Sequence, residues 1–511
     1  MQALLALRFG VIASSLVMSV ALAHPRVVIA DKASRSAARS TPRLRALVVV
    51  FDGLRPDFIT PERMPRLTAF GAAGIVSLAH HSIFPTVTRV NASALITGMT
   101  PAGHGILDNE IYLPRVDSVK SLNTGEAADM QRADSVLHGA LLTTPTLPDL
   151  LRARGKSVVV ASAGSSGSAY LLAGAGRAIT INADLSIPHS LASMVNAVLG
   201  PAPKDASPNL GRNARAVDAL LRIGVDSLNA DLAFLWLSDP DHTAHAAGLG
   251  SAIADSSIRA ADREFGRALD GIRARGLDTL VDIFVVSDHG FSTHAGSDAP
   301  IKRVLASLRD RIVVAGGAVY VRRGGDSTRR AVVRALQAAP SVGAIFTRGV
   351  TGDLGALPGT LAYSSIGWDH PRSGDVLFSA NWSHTVNTAG IAGSTDQAGV
   401  AGHGTTSPHD INATLVAAGP HLRRGVRSVV PSSNADIAPT LLQLLGATPS
   451  PSMSGRVLVE LLRSDKRSDT VRVARDSVSA STSDGYRTTL YRSRVGQTIY
   501  VDSTKTMRRT K

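Results

Sequence analysis

Aspartate and histidine recur in this chain just after apolar runs. Asp52 follows residues 46–51, Asp241 and His245 follow 231–237, Asp288 and His289 follow 283–286, and His403 sits between two glycines. Carboxylates and imidazoles are the oxygen and nitrogen ligands of zinc and similar ions. Each group has a plainer reading on its own. Asp241 and His245, four positions apart, share one face of a helix, but the same spacing describes a helix cap with a surface histidine. Asp288 ahead of Gly290 is also common turn chemistry, and His403 is equally a loop histidine. Together the six fit two ion sites sharing one substrate. That is the arrangement of two-metal phosphoryl transfer, in which one ion lowers a nucleophile's pKa and the other steadies the leaving oxygen.

A hydroxyl to go with them stands in residues 84–109, FPTVTRVNASALITGMTPAGHGILDN. A proline-bearing turn leads to Thr88 at the first turn of a short apolar helix (92–96), and a glycine-rich loop then carries His104, Asp108 and Asn109. Free N–H groups and the helix dipole favour an anionic substrate at such a helix start. A threonine hydroxyl alone is a poor nucleophile at neutral pH and needs a base or a metal. Thr88 and the Asp/His groups therefore need one another.

The elements that must position them are legible. Residues 46–51, 231–237 and 283–286 are continuous apolar runs of strand length, the kind covered on both faces. They alternate with helical patterns at 64–74, 146–154, 214–228 and 253–275 and with a strand at 157–161. This predicts an α/β fold with a mostly parallel central sheet and helices on both faces, whose ligands collect beyond the carboxyl ends of the strands. From about 295 to 400 the pattern loosens to short strands (318–321, 376–379) and a helix (328–338), read as a cap insertion. The core resumes with a strand at 413–418 and a helix at 434–445. The polar extension 464–511 holds a hairpin around 486–501.

Residues 1–23 contain Arg8, an apolar run and Ala21-Leu22-Ala23, the pattern of a signal peptide or of an uncleaved anchor. Residues 24–43 follow as a flexible leader. No other stretch is apolar enough to cross a bilayer, so a periplasmic or secreted protein without a membrane span after cleavage is expected. The formal net charge of +14 attracts anions or belongs to solvated arginines, and aromatics at 4% argue against a stacking platform for nucleic acid. Absence of cysteine excludes disulfides and thiolate metal sites.

Taken in order, VVVFDGLRPD, FPTVTRVNASALITG, GHGILDN, SDPDHTAHAAG, VVSDHG, GHG and NADIAPTLLQLLGATPSPSMSGRVL resemble the alkaline phosphatase superfamily over about residues 47–462. The closest resemblance is to its bacterial nucleotide pyrophosphatase/phosphodiesterase (type I phosphodiesterase) branch. The resemblance implies an alkaline phosphatase-like catalytic domain at 44–463 with two zinc ions per chain. Asp241, His245 and His403 would bind one ion, and Asp52, Asp288, His289 and the Thr88 oxygen the other. Thr88 would form a phospho-threonine intermediate. Asn109, with the Thr88 backbone N–H, would donate to a non-bridging phosphate oxygen. The substrate would be a small phosphate ester, chiefly a phosphodiester or nucleotide pyrophosphate, with no specific nucleic-acid binding.

The departures from the branch bear on specificity. The branch often has Thr-Lys-Thr-Phe-Pro-Asn-His where this chain has Thr86-Val87-Thr88-Arg89-Val90-Asn91-Ala92, so the leaving-group side differs. The Cys/Ser-x-Pro-x-Arg pattern of sulfatases and the several membrane spans of lipid-A phosphoethanolamine transferases are missing. Monoesterases of the superfamily with a threonine nucleophile share a Lys-x-Arg pair, whereas residues 162–166 here carry no cation. Diesters should therefore be cleaved faster than monoesters, unless Arg89 or Lys302 supplies the charge. The alternatives are a phosphomonoesterase on the same site and a non-catalytic polyanion-binding protein. His80, His81, His104, His242 and His294 are candidates for supporting partners or extra ligands, although adjacent surface histidines are usually incidental. Gly164-Ser165-Ser166-Gly167 lacks the ending of a P-loop.

Overall fold

A computed structural model describes residues 43–296, 300–349, 351–465 and 471–509. The signal segment 1–23 and the leader up to residue 42 lie outside the described residues. Strand β1 (Ala46–Phe51) is six apolar residues, all fully buried. Side chains alternate along a strand, so Ala46, Val48 and Val50 enter one apolar cluster and Leu47, Val49 and Phe51 another. Each cluster is closed by helices. Ala92, Leu95 and Ile96 of helix α1 (Thr88–Thr97) join the first, and Ile258, Phe265 and Ile272 of the helix Ala252–Ala274 join the second. Burial on both faces is the reason the sequence shows unbroken apolar runs here.

The central sheet contains β2 (Ile75–Ser77), β3 (Val158–Ser162), β4 (Ile179–Asn182), β5 (Ser186–Ile187), β6 (Leu232–Leu237), β7 (Asp282–Val286), β8 (Leu415–Ala418) and β9 (Val426–Ser428) beside β1. The order is β9-β2-β8-β7-β1-β6-β3-β4-β5. Strands β7, β1, β6, β3 and β4 run parallel, while β8 is antiparallel to both β7 and β2. The fold is therefore α/β with a mostly parallel sheet. Register pairs Phe51 with Leu237 and Val50 with Val286, so the carboxyl ends of β1, β6 and β7 finish level. Asp52, Asp241 and Asp288 emerge side by side for that reason.

Between β7 and β8 the chain builds a smaller sheet of five strands, Ile312–Ala315, Ala318–Val321, Val376–Ala380, Val342–Thr347 and Leu361–Ala362. With the helix Gly325–Ala338 it encloses its own cluster of Leu305, Val319, Val332, Leu336 and Ile345. The C-terminal residues form three antiparallel strands, Val473–Ser481, Arg487–Val495 and Thr498–Met507, one more than the expected hairpin. The extra strand is mostly exposed and polar, and only Val478 and Ala480 turn to the core, too short an alternation for a sequence reading to detect. Among the described residues, no helix is long and apolar enough to cross a membrane.

Candidate active site

Three carboxylates and three imidazoles face one another beyond the level ends of β1, β6 and β7. Asp241 opens helix α2 (Asp241–Ala247), which puts His245 one turn on, its Nε2 3.2 Å from Asp241 Oδ1. His403 Nε2 lies 3.4 Å and His289 Nε2 3.9 Å from the same oxygen. His289 Nε2 is also 3.5 Å from Asp52 Oδ1 and 3.2 Å from Asp288 Oδ2. Thr88 Oγ1, on the first residue of α1, is 3.3 Å from that nitrogen. The six Asp and His residues that the family pattern assigns to the two ions thus converge beside the Thr88 hydroxyl. Asn109 stands at the edge, where its Oδ1 accepts the Arg89 backbone N–H at 3.2 Å. That leaves its NH2 group to donate into the cavity it lines.

The ring tautomers are set from behind. The Nδ1 atoms of His245, His289 and His403 lie 3.0, 2.9 and 2.8 Å from the carbonyls of Ala401, Gly290 and Thr86. A carbonyl only accepts, so each Nδ1 carries a proton, and in the neutral ring each Nε2 presents a lone pair. Anchoring of this kind orients metal-ligating histidines. The carboxylates are held similarly. Trp236 Nε1 donates to Asp52 Oδ2 and the Gly53 N–H to Asp288 Oδ1, both at 3.0 Å. Their other oxygens, Asp52 Oδ1 and Asp288 Oδ2, are buried without a hydrogen-bond partner, as is Asp241 Oδ1. Buried oxygens left in this way are costly, and divalent cations among them and the imidazole lone pairs would satisfy them all.

Potential ligand atoms of Asp241, His245 and His403, and of Asp52, Asp241 and His289, fall within 4.8 Å of one another. Asp241 is common to both groups, whereas the family pattern assigned it to one. The groups also shift one another's protonation. Burial, then Asp288 and Asp241, push the Asp52 carboxyl well above its usual range. Burial pushes Asp288 up to about 6 and holds His289 well below the usual imidazole range. For Asp241 burial also acts upward, but His245 and His403 outweigh it and hold the carboxyl well below the usual value.

Two cavities meet at Thr88, Arg89 and Asp241. One, of about 420 Å³, is polar and lined by Glu126, Ser165, Asp205, Arg212 and His242. The other, of about 1130 Å³, lies between the core and the smaller sheet and adds Ile301, Leu305, Ile312 and Phe378 to Asn109 and His403. Gly164, Ser165 and Ser166, from the stretch that the sequence dismisses as a P-loop, wall the polar cavity instead, because β3 runs beside β6. Of the other histidines, His80 reaches the cluster through Asn434, whose amide donates to the Asp288 carbonyl at 2.9 Å. His81, His104 and His294 are bonded to Asp502, the Ile106 N–H and the Ala398 carbonyl. Sequence reasoning missed Trp236, read only as a core strand residue, and Gly53, whose N–H grips Asp288.

A family model for type I phosphodiesterase / nucleotide pyrophosphatase matches residues 46–404. Venom phosphodiesterase CdcPDE of Crotalus durissus collilineatus is 25% identical over 267 residues, covering 51% of this chain and 28% of that protein. Ectonucleotide pyrophosphatase/phosphodiesterase family member 3 of Mus musculus is 24% identical over 250 residues, covering 48% of this chain and 24% of that one. The matched stretch spans about a quarter of the length of these two relatives. The solved structure of murine ectonucleotide pyrophosphatase/phosphodiesterase 5, an inactive threonine-to-alanine variant in complex with AMP, shares the fold. Its TM-score is 0.53 at 17% identity, over 80% of this chain and 96% of that one.

Proposed function

The chain belongs to the type I phosphodiesterase / nucleotide pyrophosphatase family, and from that membership we propose that it hydrolyses phosphodiester and nucleotide pyrophosphate bonds through a phospho-threonine on Thr88. Two zinc ions fit the donor set of nitrogen and oxygen without thiolate. Asp241, His245 and His403 would hold one, and Asp52, Asp288, His289 and Thr88 the other. Bound zinc would supply Lewis acidity, lowering the pKa of the Thr88 hydroxyl and countering charge on the leaving oxygen. The observation that carries the reading is the convergence of three imidazole lone pairs and three partnerless carboxylate oxygens beside Thr88 Oγ1.

In this reaction the Thr88 oxygen attacks phosphorus, while the Asn109 NH2 and the Thr88 N–H donate to a non-bridging oxygen as charge develops there. The two substituents of a diester occupy the two cavities that meet at Thr88, one leaving and one retained. A monoester fills only one. Nucleotide esters are the first natural candidates, given the AMP bound by the murine neighbour. The signal-like residues 1–23 and the venom relatives support export to the periplasm or the medium.

Zinc-reconstituted protein should contain about two zinc per chain and cleave bis-p-nitrophenyl phosphate with higher kcat/KM than p-nitrophenyl phosphate. Full zinc occupancy with no hydrolysis of either would favour a polyanion-binding protein. A tenfold or larger preference for the monoester, about 1.4 kcal/mol of transition-state stabilisation, would overturn the diester assignment.

A further inference from the structure

Thr88 Oγ1 stands 3.3 Å from His289 Nε2, although the two residues are 201 positions apart in the chain. Among the described residues no backbone hydrogen bond joins residues 83–97 to residues 287–290. One side chain makes the connection. Asn434, fully buried, donates from Nδ2 to the Asp288 and Ser287 carbonyls at 2.9 and 3.2 Å and to Asn91 Oδ1 at 3.0 Å. Asn91, fully buried on α1, carries the contact on to the nucleophile. Its Nδ2 donates to the carbonyls of Val87 and Ile83 at 3.1 and 3.0 Å, and its Oδ1 accepts the Ile83 N–H at 2.8 Å. Val87 immediately precedes Thr88, so an unbroken run of hydrogen bonds links the backbone at the nucleophile to the backbone of Asp288.

The direction of this run is fixed from behind. Turned over, the Asn434 amide would set its oxygen against Asn91 Oδ1 and two carbonyls, all of them acceptors. Its Oδ1 therefore faces His80 Nε2 at 3.2 Å, and the ring donates there. His80 Nδ1 then accepts the Ser432 hydroxyl at 2.9 Å. This tautomer is the opposite of the one in His245, His289 and His403, whose Nδ1 atoms face carbonyls. With both nitrogens engaged in this way, fully buried His80 holds an amide and presents no lone pair to a metal. The Ser433 N–H donates to Asp436 Oδ2 at 2.7 Å, which fixes the turn that carries Asn434. We propose that Asn434, locked by His80, is a positioning residue that sets the Thr88 hydroxyl at its working distance from Asp288 and His289. The proposal rests on the Thr88 phosphoryl-transfer reading. Attack on phosphorus is sensitive to such placement, since a shift of about 1 Å can cost a hundredfold in rate.

The test compares Asn434→Ala, His80→Ala and His80→Gln with wild type on bis-p-nitrophenyl phosphate at saturating zinc. Phe265→Leu, in the second apolar cluster, serves as a variant destabilised away from the network. Asn434→Ala should lose about tenfold to a hundredfold in kcat with little change in KM and with about two zinc still bound. His80→Ala should fall in the same direction, and His80→Gln, whose amide can donate where Nε2 does, should regain part of the rate. Phe265→Leu should lower Tm and keep the wild-type kcat. A second measurement needs no metal: in crystals of metal-free Asn434→Ala, Thr88 Oγ1 should stand about 1 Å farther from His289 Nε2 than in wild type. A wild-type kcat in Asn434→Ala, a fall no larger than that of Phe265→Leu, or an unmoved Thr88 would each overturn the proposal. Should Asn434→Ala fail to fold, the two His80 variants carry the same measurements. A wild type that hydrolyses nothing, with Thr88 displaced in the variant, would refute the hydrolase reading while leaving the positioning role intact.

Discussion

Thr86 and Thr88 are both buried and two residues apart, but their hydroxyls are engaged differently. Thr86 Oγ1 donates to the Thr405 carbonyl at 2.9 Å and accepts the Gly404 N–H at 3.1 Å, while its own carbonyl receives His403 Nδ1. It holds the loop that carries His403. Thr88 faces the Asp/His cluster. Thr88→Ala should abolish turnover of bis-p-nitrophenyl phosphate. Thr86→Ala should keep turnover within about tenfold at saturating zinc and lose roughly 1–2 kcal/mol of stability from its buried hydrogen bonds. The reverse pattern would identify Thr86 as the nucleophile. Metal content separates the ligands further. His403→Ala and Asp241→Ala should each lose the ion they share with His245, and Asp288→Ala the ion beside Thr88, so that each variant retains about one zinc after dialysis. Full occupancy in all three variants would contradict the ligand assignment.

Strand ends and the turns behind them set this geometry. Gly53, second residue after β1, adopts φ +69° and donates to Asp288, and a Cβ there would lie 3.0 Å from Asp241 Cβ and 3.1 Å from Phe291 Cδ2. Gly53→Ala therefore combines a left-handed backbone cost of roughly 1–2 kcal/mol with displacement of a ligand. It should lower Tm by several degrees and weaken zinc binding by about tenfold, read by competition with a chelator; wild-type values for both would show that the turn tolerates a side chain. The same elements explain what the sequence could reveal. β1, β6 and β7 were legible because unbroken apolar runs ended in Asp or Asp/His groups, and the four-residue step from Asp241 to His245 fits the helix it lies on. Arg89 is named from the sequence only as an alternative source of charge beside Lys302. Its placement depends on Ser165, which follows β3, and on Gly125, whose carbonyl accepts the Gly167 N–H at 2.8 Å, and both are long-range contacts that leave no local pattern. Trp236 was visible as core, but alternation along a strand reports a face and not that an indole N–H would find Asp52.

At the scale of the whole molecule, the C-terminal sheet and the smaller five-stranded sheet are tied into the core. Leu490 is fully buried in the first core cluster, Tyr500 Oη donates to Asp436 at 3.0 Å, and Tyr486 Oη donates to the Gly343 carbonyl at 2.8 Å. Each large side chain buried there contributes about 1.5–3 kcal/mol, so a chain ending at residue 465 should be insoluble or lack a cooperative thermal transition; a soluble truncation with wild-type Tm would show the extension to be dispensable. The smaller sheet meets the glycine-rich loop that carries Asn109 at Asp108. Its Oδ2 accepts the Gly317 N–H at 3.0 Å and its Oδ1 the Asn109 N–H at 2.6 Å. Burial pushes this carboxyl up to about 6 with a smaller push from Glu110, and the two N–H donors oppose the rise without cancelling it. Tyr320 also faces it. The unfolded carboxyl ionises near 3.9, so between about pH 4 and 6 the folded state holds the proton that the unfolded state has lost. Asp108 therefore subtracts stability as pH rises through that window, by at most roughly 2–3 kcal/mol, and the loss persists above it. Asp108→Asn cannot titrate, although its amide can accept only one of the two N–H groups. On metal-free protein, wild type should be the more stable at pH 4 and its lead in Tm over the variant should shrink by several degrees by pH 6.5. A lead that stays constant across the window would mean that the carboxyl titrates at its ordinary value and that the contact between the two sheets is insensitive to pH.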